Sequence, residues 1–203
     1  MDARIMGELL PLATERLLLR RLQPADYEAY AAYHTREDVY RFLYCEPPAG
    51  DLLWQQFEEA VASRVTRDGD TFHFGVERND DGALLGEILL KLVSQEALQA
   101  EIGYVLNPPF FGRGYATEAV EAVVDLGFTR LGFHRIFARL DPRNVGSRAV
   151  MERLGFRLEA HLIENDRFEG VWGDEFIYAL LSREWQSRRS SADPTASSAR
   201  RWR

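Results

Sequence analysis

What this chain lacks narrows what it can be. Cysteine occurs once, at Cys45, so no internal disulfide can form, a usage that fits a reducing compartment. No stretch approaches the roughly 20 apolar residues that span a bilayer. The first 22 residues carry Asp2, Arg4, Glu8, Glu15, Arg16, Arg20 and Arg21 and hold no apolar run of the signal-peptide kind. A cytoplasmic protein with no membrane partner is therefore expected. Basic residues are outnumbered, 25 Lys+Arg against 32 Asp+Glu, and the pI is about 5.2, which argues against a nucleic-acid partner held by a basic face. The four histidines, His34, His73, His134 and His161, fall on separate elements without ligand spacing, so no metal is expected. Cys45 lies in a Pro-containing loop with no evident histidine partner, which argues against a covalent nucleophile.

What is present is enough for one good core. The 203 residues are 46% hydrophobic and 12% aromatic, which predicts a single domain over 1–186. Residues 187–203, rich in Ser, Arg and Ala, are expected to form a disordered tail. From Arg183 onward six arginines stand against Glu184 and Asp193, which leaves the preceding body at −11. Such a body favours cationic partners such as amines, or simply keeps the protein soluble.

Periodicity supplies the elements. Leu17–Leu22 reads as a strand, and Pro24 opens a helix through Tyr33. Thr35 with Asp38 resembles a capping box for a short helix to about Phe42. Asp51 can cap the next helix, whose Leu53, Phe57, Val61 and Val65 recur every four residues. Phe72, Phe74 and Val76 alternate, Asn79–Gly82 makes a turn, and Ala83–Val93 returns as the second strand of a hairpin. A strand over about Ala100–Leu106 follows, and then a long helix from Tyr115 to about Leu131 with an apolar stripe of Ala116, Ala119, Val120, Val123, Val124 and Phe128. Ile136–Leu140 is a strand, and Asn144–Leu154 is a helix closed by Gly155. Phe156–Glu164 and Trp172–Leu181 are two more strands, giving the order β α α α β β β α β α β β.

The segment Phe111-Gly112-Arg113-Gly114-Tyr115-Ala116-Thr117 lies between a strand and the best helix, so its backbone N–H groups are free at the positive end of a helix dipole. Glycine lets a phosphate approach the backbone, although a turn needing glycine only for its dihedrals would look the same. Two rival phosphate motifs fail. Position 117 is threonine, which breaks G-x-G-x-x-G, and no Gly-Lys-Ser/Thr is present.

This turn and a second block, Asn144-x-x-Ser147-x-x-x-Met151-x-x-Leu154-Gly155-Phe156, resemble the GNAT superfamily of acetyl-coenzyme A dependent N-acetyltransferases over about Thr14–Trp185. The similarity is to the branch typified by the RimJ and RimL ribosomal-protein acetyltransferases. The family signature Q/R-x-x-G-x-G/A is matched except that Phe111 stands where Gln or Arg is usual. Leu84-Leu85-Gly86 and Gly170-Val171-Trp172-Gly173-Asp174 add weaker likenesses.

The resemblance implies an α/β (α+β) fold, a mixed and largely antiparallel central sheet of about seven strands with helices on both faces. It implies acetyl-CoA as donor, with the pantetheine arm pairing with Tyr104, Val105 and Leu106 where two strands splay apart. The pyrophosphate would rest on the amides of Gly112, Arg113, Gly114, Tyr115, Ala116 and Thr117, with Asn144 and Ser147 opposite. It further implies an amine acceptor, a protein N-terminus or a small molecule, and a monomer or homodimer.

Attack of an amine on a thioester needs a neutral amine, a donor for the oxyanion and stabilisation of the leaving thiolate. A lysine-like amine is neutral roughly once in a thousand at pH 7.4, an α-amine about a quarter of the time, so the latter asks far less of a base. Similar enzymes imply Glu101 as that base, directly or through water. Resemblance to the RimL type implies Ser147 as donor to the sulfur, and Met151 stands where many relatives carry a tyrosine as the acid. The alternatives are a solvent-facing carboxylate at Glu101, an ordinary helix-start serine, and a non-catalytic acyl-CoA sensor on the same fold. Tyr40, Phe42, Tyr44 and Trp54 either shape the acceptor pocket or pack. Acceptor recognition is expected from residues 34–50 and 164–174.

Overall fold

The computed structural model describes residues 8–192. Eight strands form one sheet: β1 (Leu12–Ala13), β2 (Leu17–Arg21), β3 (Thr71–Arg78), β4 (Leu84–Ser94), β5 (Gln99–Leu106), β6 (Arg135–Leu140), β7 (Arg157–Phe168) and β8 (Val171–Leu181). Their order is β1-β2-β3-β4-β5-β6-β8-β7. Seven strands were expected, and the eighth is the two-residue β1, too short to leave a periodic signal.

All neighbours run antiparallel except β5 and β6. That parallel pairing stops early. Gln99, Ala100 and Glu101 face Arg135, Ile136 and Phe137, while Ile102–Leu106 has no ladder partner on β6. The strands diverge from there, because β6 stays paired with β8 as far as Leu140 opposite Phe176.

Strand alternation sends side chains to two layers. On one face Phe72, Phe74, Val76, Ile88, Leu90 and Ile102 pack against Ala119, Val120, Val123 and Val124 of the long helix α4 (Tyr115–Thr129), all buried in one cluster. Burying each of the larger of these side chains contributes about 1.5–3 kcal/mol. On the other face α1 (Tyr27–His34) and α3 (Asp51–Val61) bury Tyr30, Tyr33, Leu53 and Phe57 with Leu22 and Leu84. The four-residue spacing read for α3 is its buried stripe. Val65, the last residue of that series, is buried beyond the end of the helix and joins the first cluster.

Two helix starts differ from expectation. Thr35 turns its hydroxyl onto the Ala31 carbonyl at 2.8 Å, and Asp38 pairs with Arg36, so α2 (Glu37–Tyr40) begins without a capping box. Asp51 is the first residue of α3 rather than its cap, which is Gly50. Between β6 and β7, α5 (Val145–Leu154) has the expected ends: the Asn144 side chain accepts from the Ser147 amide at 3.0 Å, and Gly155 is left-handed at φ 82°.

The expected tail begins instead as helix α6 (Ser182–Ala192), and residues 193–203 lie outside the described residues. The Ser/Arg composition conceals its anchors. Trp185 is buried with its indole N–H on Asp125 at 2.9 Å, Arg189 also pairs with Asp125, and Arg188 donates to the Arg153 carbonyl. The acidic body supplies partners to the basic segment, which composition alone does not reveal.

Candidate active site

The divergence of β5 from β6 opens a cleft of about 990 Å³, bounded by the end of β5, the turn before α4 and the first turns of α4 and α5. That volume lies at the upper end for ligand sites, enough for an extended molecule.

Its floor is the turn. Gly112 and Gly114 have φ of 72° and 80°, left-handed values that other residues reach only with strain. A Cβ at Gly112 would meet nothing within 4 Å on the protein side, so the space over this backbone is open to a ligand. The first backbone bond of α4 runs from the Glu118 amide to the Gly114 carbonyl at 3.1 Å, and the amides of 112–117 have no backbone acceptor among the described residues. A helix start with free N–H groups suits a pyrophosphate.

A clamp that the sequence did not announce holds the turn. Glu118 accepts from the Thr14 hydroxyl at 2.6 Å, the Arg16 amide at 2.8 Å and Arg16 Nε at 2.7 Å, while Arg16 Nη1 donates to the Arg113 carbonyl at 3.0 Å. The Arg16 guanidinium also lies 4.7 Å from the centre of the Tyr115 ring. Partial burial pushes the Glu118 carboxyl upward, but these donors outweigh it and hold it below its ordinary range. Arg16 thereby neutralises a carboxylate that would otherwise repel a phosphate, and it draws the Arg113 carbonyl to itself.

Among the residues expected at the site, Tyr104, Val105, Leu106, Gly112, Gly114, Tyr115, Ala116, Thr117, Asn144 and Ser147 line this one cleft. Two expected residues are not among its walls. Arg113 contributes its backbone to the Arg16 contact, and Glu101 sits on β5 between Lys91 and Phe137, where the sheet is still closed. Glu101 shares a face of β5 with Val105, four residues on, and so lies deeper along the strand than the wall that Val105 forms. Arg153, which was not expected, donates to the Thr117 hydroxyl at 3.1 Å and lines the cleft beside the turn.

At the other end Val39, Phe42 and Leu43 line the cleft. The strap that carries them crosses to the far side of the gap. Tyr44, at a strained φ of 52°, places its hydroxyl 2.7 Å from Asp141 just after β6, and its ring fills the space where a Cβ on Gly173 would lie within 2.6 Å. Burial raises the Asp141 carboxyl, but Arg143 and Tyr44 bring it below the ordinary range, while burial and then Asp141 push the Tyr44 phenol up to about 12. Trp54 packs edge-on against Tyr27, outside the cleft.

Beneath the strap Tyr40 joins a buried chain. His34 reaches Tyr40 at 2.7 Å and Glu87 at 2.9 Å, and His73 meets the second oxygen of Glu87 at 2.8 Å. Burial of Glu87 favours its neutral form, but the two histidines prevail and its pKa falls to about 2. Two histidines that looked unrelated in sequence are thus the hydrogen-bond partners of one carboxylate.

A sheet opened beside a helix start with free amides is the architecture of an acetyl-CoA-dependent acetyltransferase. The chain belongs to the GNAT family: residues 16–157 match the model described as acetyltransferase (GNAT) domain. It is 33% identical over 175 residues to the uncharacterized N-acetyltransferase YnaD of Bacillus subtilis (strain 168), covering 86% of this chain and 98% of that one. It is 26% identical over 183 residues to the ribosomal protein uS5 alanine N-acetyltransferase of Escherichia coli (strain K12), covering 86% and 92%. The crystal structure of a GNAT acetyltransferase from Bacillus anthracis matches with a TM-score of 0.78 at 30% identity, over 85% of this chain and 99% of that one. The spermidine N-acetyltransferase from Vibrio cholerae, solved with CoA and spermine, shares the fold with a TM-score of 0.73 at 22% identity over 85% and 99%. Acetyl-CoA is the acetyl donor, and the acceptor is an amine. No helix among the described residues is long and apolar enough to cross a membrane.

Proposed function

We propose that this protein is a cytoplasmic N-acetyltransferase that passes acetyl from acetyl-CoA to a primary α-amine, a protein N-terminus or a small molecule, by direct attack in a ternary complex. The observation that carries this reading is the run of free amides at 112–117 opening onto the gap between β5 and β6. In this reading the amides hold the pyrophosphate, Arg113 adds positive charge at its edge, Asn144 and Ser147 stand opposite, and the backbone of Tyr104–Leu106 pairs with the pantetheine arm.

The α-amine is favoured by what the walls carry. No histidine lines the cleft among the described residues, and of its four carboxylates Glu118 is bound to Arg16 and Asp38 to Arg36, while Glu15 and Glu121 have no ion-pair partner among the described residues. A site without a histidine suits an amine that is neutral about a quarter of the time at pH 7.4 better than one neutral about once in a thousand. The similarity to an enzyme named for acetylating an alanine of ribosomal protein uS5 points the same way. Nitrogen attacks the thioester carbon, the C–S bond breaks with its electron pair going to sulfur, and the amine proton leaves through Glu101 by way of water. Ser147 donates to the departing sulfur.

Thiol release from acetyl-CoA, measured over peptides with free N-termini, polyamines, aminoglycosides and amino acids, tests the proposal. Turnover with α-amines above the others is expected. Donor binding without release on any acceptor would indicate a sensor instead. Glu101→Gln is expected to lower turnover at least about tenfold with donor affinity unchanged, and an unaltered pH–rate profile would remove Glu101 from the reaction.

A further inference from the structure

The wall between β5 and α5 carries two hydroxyls in contact, and their arrangement assigns a role to one that donor binding leaves unused. The Tyr104 hydroxyl lies 3.0 Å from Ser147 Oγ, and both residues line the cleft. We infer that Tyr104 is a positioning residue, which by donating to Ser147 Oγ turns the serine hydrogen toward the sulfur of the donor thioester. The inference rests on the donor site proposed above.

Each hydroxyl has a single hydrogen and can accept with its lone pairs, so the pair has two possible directions. A phenol is far more acidic than an aliphatic alcohol and the poorer acceptor, which makes tyrosine the donor. Burial raises the Tyr104 phenol above its ordinary value, so it stays protonated and keeps this role at any pH the enzyme meets. Ser147 accepts from Tyr104 and donates to no protein group among the described residues, since the side chain of Asn144 is taken by the Ser147 amide. A hydroxyl with one side occupied and its hydrogen unclaimed on a cleft wall is preorganised for an acceptor arriving there.

The chemistry supplies that acceptor. When the C–S bond breaks, its electron pair stays on sulfur, and an O–H aimed at the thiolate stabilises it without giving up its proton. The thiolate is reprotonated through water with the proton that Glu101 took from the amine. Met151, one turn further along α5 and buried, has no hydrogen to offer. The serine therefore depends on its orientation, and the orientation depends on Tyr104.

The product thiol reports on this directly and needs no acceptor amine. The ionisation of CoA bound to the protein is followed by thiolate absorbance for wild type, Ser147→Ala, Tyr104→Phe and the double variant, with CoA affinity measured calorimetrically for each. Bound CoA is expected to ionise about tenfold more readily than free CoA in wild type, as for an anion given one directed donor. Ser147→Ala abolishes that gain, Tyr104→Phe removes most of it, and the double variant loses no more than Ser147→Ala. A merely structural role for Tyr104 would alter affinity rather than ionisation. Tyr104→Phe with wild-type ionisation, or losses that add in the double variant, would overturn the inference. Absence of CoA binding by wild type would instead overturn the donor site.

Discussion

The glycine-turn end of the cleft takes most of its backbone from two short segments, whereas the strap end is held by residues scattered along the chain. The glycine turn and its helix start lie within 112–118 and the facing wall within 144–147, the second capped within its own segment and the first clamped by Thr14 and Arg16. The strap at the other end is held by Tyr44 meeting Asp141 and Gly173, and by Tyr40 meeting His34 above Glu87. A site of the first kind needs its helix starts and the one clamp from Thr14 and Arg16. One of the second kind depends on the whole sheet being in register, and any of several distant residues can reshape it. A constant donor and variable acceptors suit this division.

The contrast predicts that variants at the two ends fail differently. The largest effect is expected at Gly114, where φ is 80° and Arg16 Nη2 lies 3.3 Å from the position of a Cβ. Gly114→Val should weaken acetyl-CoA binding at least about a hundredfold, more than the roughly 1–3 kcal/mol of stability that a left-handed valine costs would explain, measured by calorimetry and urea denaturation.

Glu87 should show the reverse. Its folded pKa is depressed from 4.5 to about 2, so its stabilising contribution is present above pH 4.5 and is lost as pH falls toward 2. The size is on the order of 3 kcal/mol. Glu87→Gln is expected to lower stability by that amount at pH 7 without changing donor affinity. The gap between variant and wild type should close on acidification through that window, and a gap independent of pH would count against the His34–Glu87–His73 account.

The smallest effect is expected at Tyr44. Tyr44→Phe removes the bond to Asp141 while Arg143 remains, which should cost about 1–2 kcal/mol in urea denaturation and leave the acetyl-CoA affinity within twofold. A larger loss of donor affinity than of stability would mean that the two ends are not separable.

Legibility in the sequence follows the same division. The α4 stripe was readable because Ala119, Val120, Val123, Val124 and Phe128 recur with the period of the helix that buries them. Asn144 and Gly155 mark α5 because caps act within one turn. The gap between β5 and β6 was expected only through family resemblance, since the end of a strand pairing leaves no pattern in either strand. Glu87 was opaque because its two partners lie 53 and 14 residues away, and within an apolar strand it reads as any charged residue. Arg16 was likewise opaque, since Glu118 is 102 residues distant. The α6 helix escaped notice because Trp185 and two arginines, rather than an apolar stripe, hold it down.

The central claim is that the free amides at 112–117 and the opened sheet make a site for acetyl-CoA rather than for phosphates in general. Thermal unfolding with acetyl-CoA, CoA and ATP at equal concentrations tests it most directly. The account predicts a rise in melting temperature with acetyl-CoA and CoA that ATP does not reproduce, and equal stabilisation by all three, or by none, would contradict it.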